Sequence, residues 1–79
     1  MIKIYPNPFN DKIVVSNLSS EKIKQVTIYD NLGKLIVSES VNTEHINTSS
    51  LSNGLYFMEI LFSDNSTKTR KLIKQNTNH

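Results

Sequence analysis

The side chains able to do chemistry are few in this sequence and poorly placed for it. Two histidines, His45 and His79, stand in a polar loop stretch and at the end of the chain, and neither has a carboxylate or thiol partner at metal-ligand spacing. Serine and threonine are plentiful, yet none sits in a strand-to-helix elbow with a histidine near in sequence, so a nucleophile would have no base. Glu59 is the single charge inside the longest apolar run; a basic strand neighbour such as Arg70 or Lys71 suits it better than a general-acid role. Asp64-Asn65-Ser66 lacks the glycine and the distal glutamate of a calcium loop. No catalytic, cofactor-binding or metal-ligating set emerges, and no enzyme is expected. The chain carries turn chemistry instead: Tyr5-Pro6-Asn7-Pro8-Phe9, Asp30-Asn31-Leu32-Gly33, Leu51-Ser52-Asn53-Gly54-Leu55-Tyr56, and a basic end at Lys71-Leu72-Ile73-Lys74.

The elements that must position those turns fit in one unit. At 79 residues there is room for a single domain, 1–79, that buries roughly 60% of its unfolded surface. With no cysteine, neither a disulfide nor a thiolate metal site can reinforce that core. A net charge of +2 is too small to imply a nucleic-acid or membrane-surface partner. No stretch is long and apolar enough to span a bilayer. Met1-Ile2-Lys3-Ile4-Tyr5 runs straight into prolines rather than into the apolar run of an export leader. If the protein is exported, this sequence is expected to be a piece of something longer.

Hydrophobic residues alternate, with period two. Ile13 and Val15 share one face, Val26 and Ile28 the next, and Leu35 and Val37 a third. In the longest run, 54–62, Tyr56, Met58, Ile60 and Phe62 line one side while Leu55, Phe57 and Leu61 make the other side apolar too. A looser basic run follows at 67–75. β-branched and aromatic residues dominate, as a half-buried pleated surface favours. Asp30–Gly33 and Ser63–Ser66 read as hairpin turns, with Gly33 at the positive-φ position of the first. Residues 17–21 form a polar loop, and 42–53 holds one short edge strand near Ile46 and a turn in which Leu51 plugs the core. Six or seven short strands predict an all-β antiparallel sandwich. Its expected core includes Ile13, Val15, Val26, Ile28, Leu35, Val37, Leu51, Tyr56, Met58 and Ile60.

Taken in order, Tyr5-Pro6-Asn7-Pro8-Phe9, the Val26-Thr27-Ile28-Tyr29-Asp30…Gly33-Lys34 hairpin, Leu51…Gly54-Leu55-Tyr56 and Lys71-Leu72-Ile73-Lys74 resemble the type A C-terminal sorting domain of the type IX secretion system. The likeness covers roughly residues 4–75, leaving 76–79 as a flexible tail. It implies an immunoglobulin-like β-sandwich attached behind an exported cargo that enters the periplasm by its own N-terminal signal. It further implies recognition by outer-membrane translocon components, removal by a sortase-like surface protease, and a cargo that is secreted or held at the cell surface. The sorting motif carried over is Pro6, Asn7, Pro8, Phe9, Gly33, Leu51, Gly54, Tyr56, Lys71, Leu72, Ile73 and Lys74. Two features depart from the family pattern: Met1 stands only a few residues ahead of Pro6, and Gln75-Asn76-Thr77-Asn78-His79 runs on past the basic motif.

The same residues have plainer roles. Prolines flank strand edges because they cannot donate to a ladder. Glycines serve turns, and lysines on an edge strand discourage pairing with other copies. A generic immunoglobulin-like binding module, for carbohydrate or adhesion, is the competing reading. It calls for an exposed aromatic platform, whereas most of Tyr5, Phe9, Tyr29, Tyr56, Phe57 and Phe62 fall on or beside strands. The second apolar face of 54–62 is expected to mediate association through Leu55, Phe57 and Leu61, with a cargo domain or a second copy.

Overall fold

The alternating runs pair as antiparallel strands, since each has one apolar face to hide and a short polar turn that returns the chain beside it. The computed structural model describes residues 2–17, 22–40 and 45–75. The expected tail at 76–79, together with 18–21 of the loop expected over 17–21 and 42–44 of the segment expected over 42–53, lies outside the described residues. Seven strands follow in order among the described residues: β1 Ile2–Tyr5, β2 Lys12–Asn17, β3 Ile23–Asp30, β4 Leu35–Ser40, β5 His45–Asn47, β6 Gly54–Phe62 and β7 Thr67–Lys74. They form a three-stranded sheet, β1-β2-β5, and a four-stranded sheet, β4-β3-β6-β7. No described residue is helical. β1 is a strand that the alternation did not disclose, and His45 opens β5 rather than sitting in a loop.

One core lies between the sheets. From the four-stranded sheet come Val26 and Ile28 of β3, Tyr56, Met58, Ile60 and Phe62 of β6, and Leu72 of β7; from the other come Ile2, Ile13, Val15 and Ile46. Phe9, from the segment after β1, is fully buried among them. Val37 and Leu51 are half-buried at its margin. Leu35 overturns its expectation, being 54% exposed. The cause is a bulge: Ile28 pairs with Val37 but Tyr29 pairs with Leu35, so Ile36 is the extra residue. Ile36 turns against the core in its place, and Leu35 moves to the outer face beside Tyr29.

Both hairpins are closed by an aspartate. The Asp30 carboxylate accepts the N–H groups of Leu32 and Lys34, each at 2.9 Å, and Gly33 takes φ +84° with open space where a Cβ would stand. Its glycine is therefore a conformational requirement, not a packing one. In the second hairpin Asp64 accepts the Ser66 N–H at 2.9 Å and the Ser66 hydroxyl at 2.5 Å. The Ser66 hydroxyl, and after it the Ser66 N–H, hold the Asp64 carboxyl below its ordinary 3.8. A depressed carboxylate stabilises the fold at every pH above that ordinary value, and the contribution is lost as pH falls through the lowered one. Asp64→Asn should therefore flatten the curve of melting temperature against pH only below about pH 4. An acid limb identical to that of the parent chain would rule out this contribution.

Candidate recognition surface

The four turn motifs, scattered over most of the chain, converge at one end of the four-stranded sheet. Strand register brings three of them together. Asp30, where the first hairpin begins, lies opposite Tyr56; Tyr56 lies opposite Leu72, and Gly54 opposite Lys74. Gly54 has φ +152° and, like Gly33, nothing near its missing Cβ. Tyr56 is buried with its hydroxyl donating to the Ser52 carbonyl at 2.7 Å. That bond satisfies the one polar atom an aromatic core residue brings with it and fixes the 52–56 turn against the strand.

The fourth motif reaches this end by crossing from one sheet to the other. Antiparallel pairing of β7 with β6 leaves the backbone groups of alternate β7 residues pointing away from the sheet. At Lys71, Ile73 and Gln75 those outward groups meet the segment that follows β1. The Phe9 N–H donates to the Ile73 carbonyl at 2.8 Å, and the Gln75 N–H donates to the Phe9 carbonyl at 2.9 Å. Two residues earlier the Asn7 side chain stands in for a peptide group, its amide donating to the Lys71 carbonyl at 3.3 Å and its oxygen accepting the Ile73 N–H at 3.1 Å. Pro6 and Pro8 have no N–H to contribute, so the side chain between them does the pairing. The result is a strap along the last turnings of the edge strand, recorded as a parallel bridge between Phe9 and Lys74.

Beneath the strap the Phe9 ring meets Tyr56 edge to face, with centroids 6.0 Å apart at 62°. Lys74 is only 4% exposed. Its ammonium donates to the Thr48 carbonyl at 2.8 Å and to the Asn10 carbonyl, and it lies 5.7 Å from the centre of the Phe9 ring. Thr48, fully buried, adds its own hydroxyl bond to Asn10 at 2.8 Å. One cation thus ties β7 to the strap and to the turn after β5. It is not the solvent-facing charge that a basic tail suggests, and nothing in the sequence marks it, because its partners are backbone carbonyls.

The motif residues accordingly divide in two. Phe9, Tyr56, Leu72 and Lys74 are buried and Leu51 is half-buried, so they build this end. Pro6, Asn7, Pro8, Gly33, Gly54, Lys71 and Ile73 are exposed, and of these Asn7, Lys71 and Ile73 are joined through the strap. Glu59 pairs across from Thr69, with Lys71 on its face and Arg70 on the other, so of its two expected neighbours only Lys71 is placed to meet it. An open pocket of about 540 Å³ lies between Asp30, Asn31 and the 50–56 turn. Its one carboxylate, Asp30, is already committed to the hairpin N–H groups, and no cluster of three potential metal ligands occurs among the described residues.

The model of one protein family, the secretion system C-terminal sorting domain, matches residues 3–75. No curated protein matches the chain.

Proposed function

The chain belongs to the family of secretion system C-terminal sorting domains, and from that membership we propose how its motif end is used. Domains of this family are the signals by which cargo proteins pass through the type IX secretion system to the cell surface or beyond, and removal at the surface fits the family. The family is not an enzyme type. It implies recognition by the secretion machinery and attachment to an N-terminal cargo.

The reading we favour is that outer-membrane translocon components contact the strapped end of the folded domain, with Pro6, Asn7, Pro8, Lys71 and Ile73 as its exposed parts. Phe9, Gly33, Leu51, Gly54, Tyr56, Leu72 and Lys74 then act by holding those residues in place, and a sortase-like surface protease removes the domain after passage. The observation that carries this is the strap itself: Asn7 and Phe9 bond to Lys71, Ile73 and Gln75, so the first and last motifs make one surface. We take the whole chain, 1–79, as a single domain whose core reaches back to Ile2. An immunoglobulin-like sandwich is supported by the strand order, β1-β2-β5 against β4-β3-β6-β7. The Tyr56 hydroxyl, bonded to the backbone just upstream of its strand, resembles the tyrosine corner of such folds.

The test is export of a reporter that carries a periplasmic signal and this chain behind it, in a cell possessing the secretion system. The intact fusion should reach the surface or medium; removal of residues 71–79 should leave it in the periplasm. Lys71→Glu, at an exposed position, should lower export while the purified domain melts as before. Export of the truncated reporter at the level of the intact one would reject the sorting surface proposed here.

Self-association is a separate part of the proposal. The outer face of the four-stranded sheet carries Tyr29, Leu35, Leu55, Phe57 and Ile73. Glu59 and Lys71 lie beside Phe57 on that face, so two copies related by a two-fold axis can match each acid with the other's base. Leu61 sits further along, beyond Glu59. Sedimentation should show a concentration-dependent dimer that Phe57→Lys abolishes; a monomer at every concentration would dismiss it.

A further inference from the structure

β7 is an edge strand whose two halves are treated differently. Outward backbone groups at Lys71, Ile73 and Gln75 meet the strap. The same alternation turns the backbone of Thr67 and Thr69 outward, but the strap stops at Asn7 and does not extend to them. Among the described residues the Thr69 carbonyl is met only by the guanidinium of the adjacent Arg70, at 3.2 Å. Every side chain from Thr67 to Lys71 is exposed, and three of the five are cationic. Lys68 and Arg70 project to one side of the sheet, Lys71 to the other, since β7 alternates about its pairing with β6.

We propose that the Thr67–Lys71 half of β7 is a docking edge for an extended, acidic strand of a protein partner, which continues the four-stranded sheet. The added ladder would use the outward N–H and carbonyl groups of Thr67 and Thr69 together with the Lys71 N–H. Its length is limited on one side by Asn7, which blocks the ladder at the Lys71 carbonyl, and on the other by the Ser63–Ser66 turn. Charge selects the occupant. A second copy pairing through its own β7 would set Lys68, Arg70 and Lys71 against the same residues, which like-charge repulsion across strands disfavours. No segment of this chain alternates acids. A strand with carboxylates on both faces would meet Lys68 and Arg70 on one side of the sheet and Lys71 on the other, and would draw Arg70 off the Thr69 carbonyl.

This deepens the sorting reading by naming the partner's chemistry, and it rests on that reading only for who the partner is. It also moves the docking ladder away from Lys71–Lys74, because the domain's own strap occupies the outward backbone groups of that stretch. The binding test uses the whole chain and a peptide of about ten residues in which pairs of valines alternate with pairs of glutamates, so that both faces of the strand carry carboxylates, with the same pattern of valine and lysine as the control. At low salt the acidic peptide should bind at least about tenfold more tightly than the basic one. Nuclear magnetic resonance should show slowed amide exchange at Thr67 and Thr69, and the preference should shrink as salt is raised. Thr69→Pro removes an outward N–H without touching the β6 ladder, so it should abolish binding with little loss of melting temperature. Lys68→Glu with Arg70→Glu keeps the backbone and should reverse the preference toward the basic peptide. Equal binding of the two peptides, no binding of either, or protection that maps to Leu55 and Phe57 would overturn the proposal. In the export assay the two ideas separate. An intact reporter that is exported alongside an equally exported Thr69→Pro reporter overturns the docking edge alone, whereas failure of the intact reporter rejects the sorting reading itself.

Discussion

Lys74→Glu should remove a large part of the domain's stability, whereas Lys71→Glu should leave that stability nearly unchanged. The two lysines sit three residues apart in one strand and look alike in sequence, yet Lys71 is exposed and Lys74 is 4% exposed. A glutamate at 74 would aim a carboxylate at the carbonyl oxygens of Thr48 and Asn10, where an ammonium now donates. Breaking a buried charged arrangement of this kind costs about 3–5 kcal/mol, a large share of the roughly 5–15 kcal/mol that holds a small domain together. Chemical denaturation monitored by circular dichroism measures the difference. Lys74→Met keeps much of the side chain's length and apolar stem and should cost less, about 1–3 kcal/mol for carbonyls left without their donor. If Lys74→Glu melts within about 1 kcal/mol of the parent chain, Lys74 is a surface charge and the tie between β7, the strap and the turn after β5 does not exist. The same result bears on export experiments: reversing Lys71 and Lys74 together cannot separate charge from folding, and Lys71 alone can.

Phe9→Ala and Tyr56→Ala should each cost about 3–5 kcal/mol, the range for deleting a buried aromatic ring, and their effects should fall short of adding. The rings touch edge to face, a contact worth about 0.5–1.5 kcal/mol beyond the area it buries, so the double variant should recover roughly that much. Tyr56→Phe separates the ring from its hydroxyl; losing the bond to the Ser52 carbonyl should cost about 0.5–1.5 kcal/mol. Phe9→Ala carries a second consequence. With its ring gone the strap loses its anchor, and the amide of Gln75, which donates to the Phe9 carbonyl, should exchange faster than in the parent chain. A Phe9→Ala variant that loses under about 1 kcal/mol and keeps Gln75 protected would show that the strap holds without its anchor.

Period-two alternation and turn residues were enough to read β2, β3, β4, β6 and β7, the short edge strand at Ile46 and both hairpins, because those signals are local. A residue's face in a strand follows from its neighbours two places away, and an aspartate closes a turn with N–H groups two to four residues on. The order of the four motifs likewise pointed to the sorting family without any contact being known. Leu35 escaped this reading because a bulge is a property of two paired strands, and the extra residue at Ile36 shows only when β3 lies beside β4. β1 and Phe9 escaped it because each is held by residues remote in sequence: β1 by β2, and Phe9 by Ile73 and Gln75 at the far end of the chain. Lys74 escaped it most completely. Its type argues for solvent, and only the meeting of Asn10 and Thr48 carbonyls over β7 supplies the acceptors that let an ammonium be buried. Local pattern therefore settled which residues become strands and turns, and long-range packing settled which of the motif residues remain outside to be touched.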